Sequence, residues 1–340
     1  MLPRLASTLL LAASMAAAQT PAPTTLTVNF AKPLAPWQPI TAAFGYDELN
    51  ETTTPGGRAL LAELAQAFHP VPVLIRAHHL FTSGDGQPSL KWSSSNVLTL
   101  DAHGKPRYNF TLLDQTFDAW LSAGTRPFIE LGFMPEALAS QPGPYHLAYP
   151  HTIQGSVQSP PKDFTAWQAL CHALTEHLVQ RYGRQQVAQW PFEVWNEPDI
   201  PYWHGTREQY FQLYDHAVAG VRSALPEAIV GGPATTSPRS PKAADFLKAF
   251  LNHIANDPSS ATSQKIPLDF ISFHAKGKPQ LDPAHPGHIR MGLSPELNDA
   301  NRTQQALKLL NAVEEEERNS CYWRLVAVAY DRQGNVGMRL

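Results

Sequence analysis

The chain has 340 residues, a formal net charge of −3 and two cysteines. That length suits one domain of barrel size with a small appendage. Basic residues scattered under a slightly negative total leave no footprint for nucleic acid or an anionic membrane, and two cysteines make no disulfide framework.

The chain opens with Met1-Leu2-Pro3-Arg4, an apolar run from Leu5 to Ala18 and then Gln19. A basic start, an apolar middle and small residues at the end describe a secretory signal peptide over 1–18. The run is too short for a membrane span, so the expected mature protein is soluble and exported, to the periplasm or beyond. Residues 19–39, rich in Pro and Thr at their start, read as a linker and entry segment.

Ile40 to Gly45 reads as a first strand. Leu60, Leu61, Leu64 and Phe68 then mark a helix by their three–four spacing. The β-branched run Val71 to Ile75 is a second strand, and a long polar connection follows from Thr82 to Tyr108. Leu113, Phe117, Trp120 and Leu121 give a second helix, and Pro127 to Phe133 a third strand. Phe164, Trp167, Leu170, Cys171, Leu174, Leu178 and Tyr182 form the stripe of a third helix that Gly183 stops. Cys171 on that stripe reads as a buried free thiol.

The stretch Trp190 to Ile200, Trp-Pro-Phe-Glu-Val-Trp-Asn-Glu-Pro-Asp-Ile, reads as a fourth strand ending at Pro198. Pro198 biases Glu197 toward an extended backbone. Thr206 is the N-cap of a fourth helix that turns Tyr210, Tyr214, Ala217, Val218, Val221 and Leu225 inward. Ala228 to Gly232 is a fifth strand, Ala244 to Ile254 a fifth helix, and Leu268 to His274 a sixth strand. Thr303 to Val313 reads as a sixth helix.

Six strand–helix units in succession, with long loops after the strands, predict an α/β fold of the (β/α)8 TIM-barrel type. An open doubly wound sheet is the competitor, but no Gly-rich phosphate turn follows the first strand. In a barrel, Glu197 and Asn196 stand on the rim where chemistry is done. A glycosidase needs such a pair, an acid to protonate the leaving oxygen and a group to hold the sugar. Trp195, Tyr202 and Trp203 surround it, and Trp203 is taken as a sugar-binding aromatic. His172 with His177, and His285 with His288, give no zinc signature. Neither metal nor cofactor is expected.

Several segments together are specific: Arg76-Ala77-His78-His79-Leu80-Phe81-Thr82, Ile129-Glu130-Leu131-Gly132-Phe133-Met134-Pro135, Phe192-Glu193-Val194-Trp195-Asn196-Glu197-Pro198, Val230-Gly231-Gly232-Pro233 and Ile271-Ser272-Phe273-His274. With them the chain resembles glycoside hydrolase family 39, the β-xylosidases and α-L-iduronidases, over about Phe44 to Leu307. The resemblance implies a retaining exo-glycosidase acting on an oligosaccharide or glycoside. Glu197 would be the general acid/base with a raised pKa, and Asn196 would hold the sugar 2-hydroxyl. His274 matches the family's active-site histidine, and at least one of His78 and His79 would face the sugar. The step His274-Ala275-Lys276-Gly277 looks more like the iduronidases, where a lysine meets the uronate carboxylate. A solvated loop lysine is the alternative for Lys276.

The sequence departs from the family late in the chain. A retaining enzyme needs a second carboxylate, ~5–5.5 Å from the first, and in the family it ends the seventh barrel strand. No nucleophile is found here. The sixth helix runs directly into Glu314-Glu315-Glu316-Glu317, which read as a solvated helix end. The expectation is therefore an incomplete barrel over 40–313 with impaired turnover. Xyloside hydrolysis leads, uronate release comes next, and a carbohydrate-binding pseudoenzyme is the third reading. Residues 314–340 read as a β-hairpin resembling the last one of a fibronectin-type sandwich. Its first strand is also the segment that could fill the seventh barrel position.

Overall fold

A computed structural model describes residues 43–88, 93–141, 158–275, 279–281, 289–291, 324–328 and 337–339. The expected signal peptide and linker, Lys276, the sixth helix, the glutamates 314–317 and Cys321 lie outside the described residues. All described residues fall within one compact unit, Pro39–Leu340.

The elements run β1 (Ala43–Tyr46), a 3-10 turn (Leu49–Thr53), α1 (Pro55–Phe68), β2 (Leu74–Ala77), β3 (Leu98–Leu100), β4 (Pro106–Tyr108), α2 (Thr111–Ser122) and β5 (Arg126–Leu131). Then come α3 (Phe164–Tyr182), α4 (Arg184–Val187), β6 (Pro191–Val194), α5 (Arg207–Ala224), β7 (Ile229–Thr235), α6 (Pro241–Asn256) and β8 (Phe270–His274). Beyond them lie β9 (Pro279–Leu281), β10 (Ile289–Met291), β11 (Arg324–Val328) and β12 (Gly337–Arg339).

The main sheet has the order β1-β2-β5-β6-β7-β8-β11-β12. Every neighbouring pair from β1 to β11 is parallel, and β12 returns antiparallel to β11. Helices alternate with the strands from β1 to β8, so the architecture is the predicted barrel in incomplete form. The tail forms a hairpin, and its first strand continues the sheet beside β8 in the seventh place. Two small hairpins are added to this frame, β3–β4 within the polar connection from Thr82 to Tyr108 and β9–β10 beyond β8.

The helices bury the faces that their periodicity predicts, with one exception. On α3, Trp167, Leu170, Cys171, Leu174 and Leu178 are fully buried, and Gly183 ends the helix at φ 87°, a left-handed conformation open to glycine. Cys171 is a free, buried thiol. Thr206 and Gln209 form a reciprocal capping box at the start of α5. There Tyr210, Tyr214, Ala217, Val218 and Val221 all face the core. Helices α3 and α5 touch closely at Gly220, where an added Cβ would run into the Gln168 carbonyl and Cys171. The exception is α1: Leu61 is buried, but Leu60 and Phe68 are 48% and 45% exposed.

Inside the sheet the residues form a packed layer, as a barrel interior requires. Glu130 on β5 lies in register with Glu193 on β6, and Glu193 with Gly231 on β7. Phe128 meets Phe270 edge-on at 5.6 Å. Gly231 leaves the room: a Cβ there would lie 2.6 Å from the Phe270 ring.

Candidate active site

The fourth predicted strand is shorter than its apolar run suggested. It stops at Val194, and Trp195 and Glu197 both turn left-handed, at φ 72° and 45°. The extended Glu197 expected from Pro198 is therefore not what the chain adopts. Such conformations cost a non-glycine residue about 1–3 kcal/mol, so other contacts must hold them. The Trp195 N–H donates to the Leu131 carbonyl at 3.1 Å and its indole to the Tyr202 carbonyl at 3.0 Å. The Glu197 N–H donates to the Ala234 carbonyl at 2.9 Å. Below them the Tyr210 hydroxyl donates to the Val194 carbonyl at 2.9 Å. Burial pushes that phenol well above its usual pKa, which keeps the proton it donates.

The result is a buried carboxylate facing a buried imidazole. Glu197 Oε1 lies 2.5 Å from His274 Nδ1, and the two residues are 4% and 2% exposed. His274 ends β8, so two different strand ends supply the pair. Proton exchange at that carboxylate is the chemistry this arrangement allows.

Asn196, next to Glu197, is fixed from beneath. Arg76 Nη2 donates to Asn196 Oδ1 at 3.2 Å. A guanidinium only donates, so the amide oxygen must face it, and the Asn196 amide N–H groups are turned away from it. Arg76 itself is 2% exposed and lies 2.5 Å from Glu193 and 2.8 Å from Glu130, both fully buried. Residue-type reasoning left this hub without a role. Its signal was present, because a charged residue in each of three apolar strands requires pairing when buried.

The predicted histidines separate. Both ring nitrogens of His78 face carboxylates of the chain, Glu130 at 2.5 Å and Asp47 at 3.1 Å. His79, at φ 73°, meets Thr82 Oγ1 through Nδ1 at 3.1 Å. Both rings pack on Phe133, which in turn stacks on the half-buried Tyr202 with centroids 5.6 Å apart. Trp203 is 5% exposed, lies edge-on to Trp195 and Tyr210, and donates its indole N–H to the Thr206 carbonyl at 2.8 Å. Lys276 lies outside the described residues. Among the described residues no group of His, Cys, Asp or Glu is arranged to hold a metal ion.

Known proteins agree on the kind of molecule this is. The sequence profile described as Glycosyl hydrolases family 39 matches residues 92–316. A β-xylosidase of Geobacillus stearothermophilus is 39% identical over 178 residues, which cover 52% of this chain and 32% of the relative. An α-L-iduronidase of Mus musculus is 29% identical over 203 residues, 57% of this chain and 29% of the relative. A solved family 39 β-xylosidase of Caulobacter crescentus superposes with a TM-score of 0.58 at 25% identity. That match covers 85% of this chain and 52% of the other. The chain thus spans about a third of the length of the curated relatives it matches.

Proposed function

The chain belongs to glycosyl hydrolase family 39, and on that premise we propose a retaining exo-glycosidase of the β-xylosidase type with Glu197 as its general acid/base. The observation that carries this is the Glu197–His274 pair on two strand ends, beside an asparagine whose amide N–H groups are turned from Arg76. Glu197 would protonate the leaving oxygen and then deprotonate the attacking water, while Asn196 donates to the sugar 2-hydroxyl. His274, in contact with the same carboxylate, would steady it in both steps. Export through the apolar segment 5–18 belongs to the same proposal.

The second carboxylate is assigned to no described residue. Glu130 and Glu193 are held by Arg76. The strand in the seventh place, β11, is followed by Ala329-Tyr330-Asp331 rather than by a glutamate. The first point supports impaired turnover, and with it a protein that keeps sugar contacts and loses hydrolysis. Uronate release is favoured by one feature, Lys276 two residues beyond His274.

Hydrolysis of aryl β-xylosides and aryl α-L-iduronides by the purified chain, with calorimetric titration of xylose, separates these readings. Xyloside turnover lost in Glu197→Gln supports the leading one. Xylose binding without turnover identifies the binding protein. Iduronide turnover that Lys276→Ala removes identifies uronate release. Turnover that survives Glu197→Gln overturns the role given to Glu197.

A further inference from the structure

The left-handed turn at Glu197 is fastened on both sides to the end of β7. The regular ladder between β6 and β7 ends at Glu193 opposite Gly231, and the β7 register then slips between Pro233 and Thr235. Within that slip, which lies in the pairing of β7 with β8, Ala234 is also left-handed, at φ 51°. Its carbonyl accepts from the Glu197 N–H at 2.9 Å, while its own N–H donates to Ser272 Oγ on β8 at 3.0 Å. Two residues further on, a side chain replaces the backbone. Asp199, 3% exposed, accepts from the Thr236 N–H at 2.8 Å with Oδ1 and from the Thr236 hydroxyl with Oδ2. The rungs 197/234 and 199/236 bracket Pro198, the residue whose ring favours the extended backbone that Glu197 does not adopt.

We propose that Asp199, latched to Thr236, is a positioning residue that keeps the Glu197 carboxylate against His274. The inference rests on the reading of Glu197 as the acid/base. Without the latch the 196–198 segment can relax toward the extended form that Pro198 prefers, which draws the carboxylate from the imidazole. Around Glu197 the charged and titratable groups are His274 on β8, Asp199 two residues further on and, beyond Asn196, Arg76 on β2, Glu130 on β5 and Glu193 on β6. Glu197 Oε1 meets His274 Nδ1 at 2.5 Å, so loss of that contact is read in the titration of Glu197 itself.

The test is a carbon-13 titration of the glutamate carboxyls in the full chain, with the Glu197 resonance identified by its disappearance in Glu197→Gln. Asp199→Ala and Thr236→Val should each move its midpoint by ~0.5 pH unit or more, about a threefold change in the proton equilibrium. The double variant should go no further than the larger single shift. Asp199→Asn, which can still accept from the Thr236 N–H and can donate its own amide N–H to the Thr236 hydroxyl, should keep both bonds and restore most of the midpoint. An unchanged midpoint in Thr236→Val with a lowered melting temperature would reduce Asp199 to a structural tie and overturn the proposal. Thr236→Val removes one hydroxyl and keeps the test alive should Asp199→Ala fail to fold. Since the resonance reports position rather than turnover, an inactive chain leaves the test intact. Conversely, hydrolysis unaffected by Glu197→Gln would sink the acid/base reading and leave the latch standing.

Discussion

Replacing Arg76 by methionine is the sharpest test of how the barrel interior is held. Methionine keeps much of the apolar stem and removes the charge. Arg76 is 2% exposed and the Glu193 carboxylate 2.5 Å from it is fully buried. Glu130 would keep its contact with His78 at 2.5 Å, but Glu193 would lose the cation beside it. Breaking a buried pair from one side costs about 3–5 kcal/mol. The lost hydrogen bond to Asn196 adds ~1 kcal/mol. Together ~4–6 kcal/mol is a large part of the 5–15 kcal/mol that is typical of folded proteins. At ~2–4 °C per kcal/mol, melting should fall by roughly 8–24 °C. Urea unfolding followed by circular dichroism measures the loss. Arg76→Met/Glu193→Gln should regain about half of it, because the stranded charge is gone. A single variant within ~1 kcal/mol of the parent, or a double variant no better than the single, would refute the argument that charge compensation holds this layer.

Two further predictions concern the helical shell. His253 on α6 contacts Asp215 at 3.1 Å and Asp257 at 3.0 Å. Burial lowers its pKa, but the hydrogen bonds to Asp215 and Asp257 outweigh that and raise it above the usual histidine value. A raised folded-state pKa stabilises fully below the unfolded value of ~6.5 and ceases to do so as pH rises through the folded one. His253→Gln should therefore cost ~1–3 kcal/mol at pH 5 and less by pH 9. Equal losses in thermal melts at both values would contradict this. Gly220→Ala should destabilise by ~1–3 kcal/mol by forcing α5 from the Gln168 backbone, and a neutral result in urea unfolding would show that the helices part easily.

What the sequence makes legible follows from the range of the forces involved. The stripes on α3 and α5, the Gly183 stop and the Thr206 cap are periodic or local features, and the structure has all of them. The β3–β4 hairpin has three-residue strands, and five of the six residues are exposed, so no apolar run announces it. Its turn had a local sign: Asp101 Oδ1 accepts from the N–H groups of His103 and Lys105, with Gly104 left-handed between them. Arg76 was visible as a residue, but its partner Glu193 stands 117 positions away, a pairing that only the assembled sheet reveals. On α1, the spacing identified a helix correctly and overestimated the face it buries, since Leu61 alone is fully covered.

The most informative failures of local rules share one place. Among the described residues, six that are not glycine have positive φ: His79, Asn96, Trp195, Glu197, Ala234 and Ser263. Asparagine visits this region readily in turns, and Ser263 lies in the loop before β8. The other four are a histidine, an indole, a glutamate before proline and an alanine, none with a local reason to turn left-handed. They stand just past β2, just past β6 and near the end of β7, where a barrel carries its chemistry. Chains conflict with their own local preferences mainly where function demands it. Backbone geometry alone marks the region, without any relative. Glu197 and Ala234, joined by the bond from the Glu197 N–H to the Ala234 carbonyl, are the point where tertiary contacts overrule the sequence, and Asp199 lies two residues from it with its carboxylate on Thr236.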